Sequence, residues 1–364
     1  MSQPVIPASG LPVGKKKFVR RAAPDRSQRL RLIVQALFAA LNLCIGVQFL
    51  LWVGWIERNG SGLEVARPAG VEGWLPIAGL MNLKLFLLTG QIPAVHPAAM
   101  VLLVAFLLMS LLLKKAFCGW LCPVGTLSEI LWKTGRRVFG RSLLLPRWID
   151  LPLRGLKYLL LGFFAFIIGT MSVAALNEFL QTPYGLIADV KMLNFFRHLG
   201  TTGLIVLVTL GGLSLFIQNF WCRYLCPYGA LMGLVSLLSP MKIRRDREAC
   251  IDCGKCAHAC PAALPVDKLV QIRSAECTAC MACVSACATE NALHFALPPR
   301  NFALPADRWY RRAFGPRTVA GLLALIFFAL VLAAKASGHW QTHLPNSLYY
   351  DLVPRADELS HPMR

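Results

Sequence analysis

The sequence predicts a multi-span α-helical membrane protein, with about five transmembrane helices and a small cysteine-rich α+β domain inserted before the last of them. Three observations support this prediction. Hydrophobic residues make up 56% of the 364 residues and charged residues only 15%, whereas a soluble domain carries about 25% charged residues. The apolar residues are concentrated in long runs, and eight of the thirteen cysteines lie between residues 250 and 287.

Five apolar runs are long enough, with their flanks, to span a bilayer, which needs about 20 apolar residues. They are Leu32 to Ile56, Ala98 to Leu113, Leu156 to Leu176, Gly203 to Phe220, and Thr318 to Ala336. A sixth apolar stretch, Trp74 to Leu88, contains Pro76 and Lys84. Its length of about 15 residues fits an interfacial or re-entrant segment better than a span.

The distribution of Lys and Arg predicts the orientation. With five spans, residues 1–31, 114–157 and 221–317 lie on one side of the membrane and hold 8, 9 and 13 of the 38 Lys and Arg residues. The positive-inside rule places this side in the cytoplasm and the C-terminus in the periplasm, as expected for an inner-membrane protein. The formal net charge of +20 therefore reflects topology and contact with anionic lipid, and it does not indicate nucleic-acid binding.

These features divide the chain into five segments. They are a basic cytoplasmic tail (1–31), a four-helix membrane region (32–240), the cysteine-rich domain (241–300), a fifth transmembrane helix (317–337) and an external C-terminal tail (338–364). The cysteine-rich domain therefore interrupts the membrane region between its fourth and fifth spans.

The cysteine-rich domain contains the pattern C-x2-C-x2-C-x3-C twice in tandem. This is the ligand spacing of a bacterial ferredoxin with two [4Fe-4S] clusters, in which the fourth cysteine of each run ligates the other cluster. The predicted ligands are Cys250, Cys253, Cys256 and Cys287 for the first cluster, and Cys277, Cys280, Cys283 and Cys260 for the second. Zinc knuckles are the alternative because four thiolates also suit zinc, but zinc ribbons usually separate their C-x2-C pairs by a longer stretch.

A second motif pair follows two of the predicted spans, and both copies read C-x2-L-C-P-x-G-x-L. The cysteines are Cys118 and Cys122 in the first copy, and Cys222 and Cys226 in the second. The membrane region is therefore interpreted as an internal repeat. If the halves are symmetric, the four thiols could converge and hold a further cluster or a metal. Separate pairs would instead be redox dithiols, and buried packing at helix ends is a third interpretation. Cys44 has no partner at a useful spacing and is predicted to be a core residue.

Other cofactor sites have weaker signals. No C-x-x-C-H occurs, which excludes a local haem c attachment site, and no Rossmann or P-loop glycine pattern occurs. His96 and His198 precede the two C-x3-C-P motifs at similar distances, so they are candidates for a shared quinone or haem site, or for interfacial histidines. Glu178 and Asp189 are candidate proton acceptors for a quinol oxidised on the outer face, and a solvated loop is the simpler interpretation.

The motifs resemble those of the membrane polyferredoxins that include NapH, the C-terminal part of NosR, and CcoG. The resemblance rests on residues 73–84 (GWLPIAGLMNLK), the two C-x3-C-P segments and the stretch from Cys222 to Cys287, and it spans roughly residues 30–350. It implies a protein of the cell inner membrane that passes electrons between the quinone pool and a redox partner through two [4Fe-4S] clusters. Such a protein is a quinol-dehydrogenase-like component rather than a stand-alone enzyme. The flavin-binding domain of NosR does not fit into the loops of this chain, and NapH lacks a span after its ferredoxin.

The redox partner is expected to be a separate protein, because the chain contains no substrate site of its own. A basic group formed by Lys242, Arg244, Arg245 and Arg247 could dock an acidic redox protein, or it could be the positive-inside flank of the fourth span. Two other functions remain open. One is a maturation or metal-handling reductase, as the CcoG-like relatives suggest, and the other is a redox-sensing regulator.

Overall fold

Helices form most of the structure, a computed structural model that describes residues 27–140, 142–143, 145–298 and 313–359. Residues 1–26 of the predicted basic tail lie outside the described residues, and residues 27–31 belong to the first helix. The end of the predicted cysteine-rich domain, residues 299–300, also lies outside them.

The longer helices are α1 (Ser27–Glu57), α2 (Pro76–Thr89), α3 (Pro97–Leu113), α5 (Pro123–Phe139), α6 (Arg147–Thr170), α10 (Thr201–Phe216), α11 (Pro227–Leu237) and α14 (Pro316–Ala336). The shorter ones are α4 (Ala116–Trp120), α7 (Val173–Gln181), α8 (Pro183–Leu186), α9 (Ala188–Arg197), α12 (Lys255–His258), α13 (Ala282–Ser285) and α15 (Asn346–Leu352). A 3₁₀ helix covers Ala69–Trp74 and a π-helical turn covers Trp221–Leu225.

Among the described residues, three helices are long and apolar enough to cross a membrane, namely α1, α6 and α14. A fourth span results if α9 and α10, which are bent by 82° at their junction, count as one. Each of the five predicted apolar runs forms a helix, but α3 has 17 residues and belongs to the shorter apolar helices. Helix length therefore accounts for three or four spans of the five that the sequence predicts.

Helix α3 is the centre of the bundle. Eleven of its 17 residues are buried, the other six lie along one face of the helix, and it packs against α2, α11 and α14. By contrast, only 17% of the apolar window of α1, α6 or α14 is buried within the structure. A helix that is apolar all round is buried by neighbouring helices or by lipid. Protein therefore covers most of α3, whereas the three long helices leave wide apolar surfaces outside the bundle.

The apolar stretch with a lysine, predicted to be interfacial or re-entrant, forms helix α2. Lys84 donates from Nζ to the carbonyl oxygens of Ile168 (2.8 Å), Gly169 (2.8 Å) and Met171 (2.6 Å). These carbonyls belong to the C-terminal end of α6, where a helix leaves its last four C=O groups unsatisfied and carries a partial negative charge. The lysine of this apolar helix is therefore a cap for a neighbouring helix.

The cysteine-rich domain has a two-stranded antiparallel sheet, in which β1 (Lys242–Arg245) pairs with β2 (Leu293–Ala296). Ile243 lies opposite Phe295 in the register, and both side chains are buried. They pack with Leu264, Val266 and Ile272 from the segment between the two cysteine runs. The strands hold the two ends of the domain together, and both cysteine runs lie between them.

Candidate functional site

The two C-x2-C-x2-C loops have the same backbone conformation. In each loop the residues before and after the middle cysteine adopt a positive φ, which is 53° at Asp252 and 69° at Gly254, and 48° at Ala279 and 57° at Met281. Non-glycine residues rarely adopt this conformation. Backbone that alternates between left- and right-handed conformations forms concave nests of N–H groups, which bind anions and many Fe–S clusters. Both loops therefore have the backbone that a cluster requires. A short helix, α12 or α13, begins directly after the second positive-φ residue of each loop and contains its third cysteine.

The fourth cysteine of each run lies beside the loop of the other run. Cys260 lines the same small cavity as Cys277, Cys280 and Cys283. Burial raises the pKa of Cys260 to about 12, and the nearby thiols of Cys280 and Cys277 act in the same direction. On the other side, Cys287 lies near enough to Cys256 for its charge to act on that thiol. For the second set the structure brings together all four predicted ligands, and for the first set it places Cys287 near Cys256.

The two C-x3-C-P turns meet at one place. Their four cysteines line a single cavity, and the thiols act on each other electrostatically across the repeat, Cys222 on Cys122 and Cys118 on Cys222. Burial raises the pKa of Cys118, Cys122 and Cys222 to about 12. As free thiols they would be protonated and poor nucleophiles.

The proline and glycine of each motif have a structural role. Pro123 and Pro227 are the first residues of α5 and α11, a position where the missing N–H costs nothing. A Cβ on Gly125 would lie 2.5 Å from the carbonyl oxygen of Cys118. In the second copy, the N–H of Gly229 donates to Cys226 Sγ over 3.2 Å. Each proline begins the helix that follows its motif. Each glycine lets the first turn of that helix pack closely against the cysteines.

The first C-x3-C-P turn packs directly on the second ferredoxin loop. A Cβ on Gly119 would lie 2.6 Å from the carbonyl oxygen of Thr278. Trp120 donates from Nε1 to the carbonyl oxygen of Ala279 over 3.0 Å, and Gln28 of α1 donates to that of Cys280 over 3.1 Å. Backbone contact therefore joins the four-cysteine group to the loop of Cys277, Cys280 and Cys283.

This contact gives a prediction for Gly119→Ala. The added methyl group clashes with the backbone of Thr278 and separates the ferredoxin domain from α4, at a cost of about 1–3 kcal/mol. Thermal unfolding in detergent is expected at a lower temperature than for the unaltered protein. Gly155→Ala is the matched control, because nothing lies within 4 Å of a Cβ at that position of α6. Equal unfolding temperatures for both variants would contradict the close contact.

The cavity with the four cysteines has a volume of about 980 Å³ and runs along α1. Arg31, Phe38, Asn42, Ile45 and Gln48 line it in succession, which corresponds to a length of about 25 Å at 1.5 Å per residue. Its middle is lined mainly by apolar residues of other helices, including Leu80, Leu102, Phe106, Leu161, Phe164 and Phe328. Ligand sites of 300–1,000 Å³ bury most of a drug-sized organic molecule, so this cavity suits a long apolar ligand.

At one end, here called the cysteine end, two carboxylates line the cavity together with the thiols. Glu129 forms an ion pair with Arg31, whose Nη1 also donates to the carbonyl oxygen of Gly119 over 2.8 Å. Glu276 pairs with Lys157 over 2.6 Å. The charges of Lys115 and Lys157 hold the pKa of Glu276 below its usual range, although burial alone would raise it. These carboxylates are therefore ionised near neutral pH.

At the opposite end, here called the arginine end, Arg67 lines the cavity and holds a buried charge network. It donates to Asp189 Oδ2 over 2.6 Å and to Glu72 Oε1 over 2.9 Å. Glu72 also accepts from the N–H of Ala98 over 3.0 Å and from Thr342 Oγ1 over 2.7 Å. Asp189, a candidate proton acceptor from the sequence, is thus the buried partner of an arginine rather than part of a solvated loop.

The two candidate histidines are not equivalent. His96 is fully buried, 3.4 Å from Glu72 Oε1 through Nδ1 and 2.9 Å from the carbonyl oxygen of Gly185 through Nε2. His198 is 58% exposed and pairs with Asp357 over 3.0 Å. Similar sequence distances before the two motifs thus place one ring in the core and the other at the surface, and this difference does not favour a site that the two histidines share.

Two further predictions from the sequence are corrected. Cys44 is exposed rather than in the core, because it lies on α1, most of whose apolar surface faces outward. Arg244 is only 5% exposed and donates to Gln271 and Ala296. Arg245 donates to the carbonyl oxygen of Leu269 and to Asp252. Both arginines are therefore internal to the domain and unavailable to a docking partner, because strand β1 directs them against its neighbours.

The arrangement also contains residues that the sequence did not single out. Lys114 and Lys115 are both buried between α3 and α4, directly before the first C-x3-C-P motif. In the sequence these lysines follow an apolar run, and the positive-inside rule explains them. Their position shortly before Cys118 is the signal that indicates a place beside the cysteines. Within the described residues, no three His, Cys, Asp or Glu side chains are placed to hold a single metal ion. A [4Fe-4S] cluster needs a wider arrangement of ligands than a single metal ion, because each of its four thiolates binds a different iron atom.

Comparison with known proteins agrees with the internal repeat. A family model described as "4Fe-4S binding domain" matches twice, over residues 95–142 and 199–246, and one described as "4Fe-4S dicluster domain" matches residues 242–288. The chain is 54% identical, over 91% of its length and 91% of the relative, to "Putative electron transport protein YccM" of Escherichia coli (strain K12). The chain belongs to the membrane ferredoxin-type family of YccM and NapH.

More distant members of the family share part of the chain. "Ferredoxin-type protein NapH" of Escherichia coli (strain K12) is 26% identical over 58% of this chain and 71% of its own length. "Methylamine utilization ferredoxin-type protein MauN" of Paracoccus denitrificans (strain Pd 1222) is 32% identical over 46% of this chain and 56% of its own length. No solved structure matches the chain. The family, the 4Fe-4S domains and the apolar membrane helices together identify an iron–sulfur electron transport protein.

Proposed function

We propose that this protein oxidises quinol in the inner membrane and passes the electrons through [4Fe-4S] clusters to a separate redox protein. The observation that carries the proposal is the cavity, which joins an apolar volume along α1 to the four C-x3-C-P cysteines and to Cys280 of the ferredoxin domain. Quinol loses two electrons and two protons when it becomes quinone. Each electron enters the clusters singly, and the redox partner takes it up.

Two clusters are assigned to the ferredoxin domain. The first is held by Cys250, Cys253, Cys256 and Cys287, and the second by Cys277, Cys280, Cys283 and Cys260. Support comes from the matching positive-φ positions of the two loops and from the cavity that all four cysteines of the second set line. The fit is chemical as well as geometric, because thiolates of this spacing are the usual ligands of such clusters.

A third cluster is assigned to Cys118, Cys122, Cys222 and Cys226. All four line the cysteine end of one cavity, which favours a shared cofactor over two separate dithiols. A redox dithiol also needs a thiolate at neutral pH, and burial works against it here. Bound iron supplies one-electron redox chemistry at this position, and the four residues supply the thiolate ligands.

The quinone is proposed to lie along α1, with its ring toward the cysteine end and its tail among the apolar side chains of the cavity. At the cysteine end Glu129 and Glu276 are the carboxylates that line the cavity. Both are held ionised by neighbouring cations, since the pKa of each lies below its usual range despite burial. As ionised groups they are able to accept hydrogen bonds from the quinol hydroxyl groups, and the two protons that oxidation releases pass to water.

The two ferredoxin clusters differ in exposure, and this suggests their order. Cys277, Cys280 and Cys283 are buried, and their loop is covered by α1 and α4. In the other loop Cys253 is exposed and Ile251 is 43% exposed. We infer that electrons enter the ferredoxin domain at the covered loop and leave at the open one. The open loop is then the place where the redox partner binds.

The proposed topology has five spans, with the N-terminus and the ferredoxin domain in the cytoplasm and the C-terminus in the periplasm. Helix α3 serves as the second span despite its 17 residues, because α2, α11 and α14 pack against it and cover most of its surface. Helices α9 and α10 form the bent fourth span. The segment boundaries predicted from the sequence, with the ferredoxin domain at 241–300, are retained in this proposal.

Filling the cavity tests the proposal. Leu161 lines the cavity, whereas Leu159 of the same helix is 71% exposed. We expect Leu161→Trp to slow the reduction of the clusters by a short-chain quinol analogue about tenfold, the equivalent of about 1.4 kcal/mol of lost binding. Leu159→Trp is the matched control and should leave the rate unchanged. The measurement is the absorbance change of purified protein in detergent after mixing with quinol.

Reduction of the same variants by dithionite shows that the clusters are intact. Clusters that accept electrons from dithionite but never from quinol, in the unaltered protein, would contradict quinol oxidation. An equal slowing by Leu159→Trp and Leu161→Trp would contradict the placement of quinol in this cavity.

A further inference from the structure

Each of the three cysteine groups has at least one cation with little or no solvent exposure beside it, and Lys157 also acts on Cys118. We propose that three of these cations set the reduction potentials of the clusters that they face: Lys115 at the C-x3-C-P cysteines, Lys114 at the second ferredoxin cluster, and Arg245 at the first. The inference rests on the cluster assignments of the proposed function. It concerns residues that bind no iron, act through their charge and lie outside the cysteine motifs.

Lys115 faces the C-x3-C-P cysteines. Its residue is only 3% exposed, and it lines the same cavity as all four thiols. A Cβ built on Gly229 would lie 3.5 Å from Lys115 Nζ and 3.5 Å from Cys226 Sγ, so the ammonium group and this thiol flank the same glycine. Cys118 and Cys222 are also near enough to act on its charge. The ammonium group therefore lies among the ligands of the proposed third cluster.

Lys114 faces the ferredoxin domain. It is fully buried and donates from Nζ to the carbonyl oxygen of Ser274 over 2.9 Å. The same carbonyl oxygen accepts the N–H of Cys277 over 3.3 Å, which places the ammonium group next to a ligand of the second cluster. The backbone of Lys114 has φ 64° and ψ −165°, a conformation that residues other than glycine rarely adopt. Because of this backbone conformation, the side chains of Lys114 and Lys115 lie beside two different cysteine groups.

Arg245 faces the first ferredoxin cluster. Its side chain is 8% exposed, and Nη1 donates to Cys250 Sγ over 3.4 Å. Nε donates to the carbonyl oxygen of Leu269 over 3.1 Å, and the backbone N–H to that of Val270 over 2.8 Å. Asp252 shares the guanidinium group over 3.2 Å but is 63% exposed. The carboxylate weakens the effect of the arginine without removing it, because water screens its charge.

The physical basis is electrostatic. A cluster with four thiolates is an anion, and one added electron increases its negative charge by one unit. A fixed cation nearby stabilises the reduced form more than the oxidised form, and the interaction is strong where water is excluded. Net charge and hydrogen bonds to the sulfurs are known to set cluster potentials. A cation beside each cluster therefore makes each cluster easier to reduce.

The test uses the purified full-length protein with its clusters and the variants Lys115→Met, Lys114→Met and Arg245→Met. Each cluster is followed by EPR during a titration with potential. At the original midpoint, each variant should have about a tenfold smaller ratio of reduced to oxidised form in its own cluster, a shift of about 59 mV to more negative potential. The other two clusters should shift by less than this, although Lys115 also acts on Cys277 of the second ferredoxin cluster.

Two further variants separate charge from structure. Lys115→Arg retains the charge and should restore the midpoint that Lys115→Met loses. Lys84→Met removes another partly buried lysine, which binds backbone carbonyls at the C-terminal end of α6, and should move no midpoint. Unchanged midpoints in all three Met variants, or an equal shift of all clusters in each, would overturn the proposal.

The outcome is distinct from that of the proposed function. Clusters that never accept electrons from quinol would end the quinol hypothesis and leave the midpoint shifts intact. A protein without a third cluster signal would overturn the role of Lys115 alone. If Lys115→Met does not retain iron, Lys114→Met and Arg245→Met decide the proposal, because their side chains lie in the ferredoxin domain or at its edge.

Discussion

Replacing Cys222 with alanine is expected to lower the iron content from about 12 to about 8 atoms per chain, the difference of one [4Fe-4S] cluster. The same variant should lose reduction of its ferredoxin clusters by quinol, to the background rate. Cys222 lies at the cysteine end of the cavity together with Cys118, Cys122 and Cys226. The loss of one thiolate therefore removes the proposed third cluster, which lies between quinol and the ferredoxin loop that α4 contacts.

The measurements are iron and sulfide analysis of the purified protein, followed by reduction with a short-chain quinol analogue. Dithionite should still reduce the two ferredoxin clusters of the variant, because their eight ligands are unchanged. Cys44→Ala is the matched control, since Cys44 is exposed on α1, and it should change neither iron content nor rate. Full iron content in Cys222→Ala would show that these cysteines hold no cluster. Unimpaired reduction by quinol would show that they lie off the electron path.

Replacing Arg67 with methionine is expected to destabilise the protein by about 3–5 kcal/mol, the usual cost of removing one partner of a buried ion pair. Glu72 and Asp189 have no exposed side-chain surface, and both depend on this guanidinium group. Its loss leaves two buried carboxylates with too little positive charge. Because the network joins the segment before α2 to α3 and α9, all of these elements should loosen together.

Thermal unfolding in detergent measures the effect. Arg355→Met is the control, since this arginine pairs with Asp351 at the surface, where both side chains are more than half exposed and the pair contributes at most about 1 kcal/mol. Equal loss of stability in the two variants would contradict the buried network.

The pH dependence of the Arg67→Met deficit has a definite sign. Burial by itself raises the pKa of Glu72, and the neighbouring His96 ring together with the charge of Arg67 holds it below its usual range. A carboxyl with a lowered pKa contributes stability at neutral pH that is lost as the pH falls through its pKa in the folded protein. Without Arg67 the pKa rises and this contribution is smaller. The difference between variant and unaltered protein should therefore shrink as the pH falls.

Local spacing in the sequence is enough to predict a grouping of the cysteines of this protein. The tandem run defines its loops through separations of two and three residues, and the crossed grouping follows from the ferredoxin pattern. The meeting of the two C-x3-C-P turns required one further assumption, that the halves of the membrane region are alike. The family model that matches both halves and the cavity that all four cysteines line agree with that assumption.

Contacts between distant segments were not accessible from the sequence. Arg67 meets Asp189 across 122 positions, and no local pattern of charges indicates that pairing. Similar sequence positions suggested that His96 and His198 are alike, but only His96 has a buried carboxylate beside it. The count of spans rests on apolar length and on the distribution of Lys and Arg, and neither distinguishes a helix packed mainly against protein, such as α3, from one that faces lipid.

The close approach of Gly119 to Thr278 has a consequence for kinetics. A soluble ferredoxin must collide with its donor, so its supply of electrons depends on its concentration and on ionic strength. Here backbone contact fixes the separation between the four-cysteine group and the second ferredoxin loop. Transfer between them should be a first-order process that is unaffected by dilution or salt, and only the final step to the redox partner should show the behaviour of a bimolecular reaction.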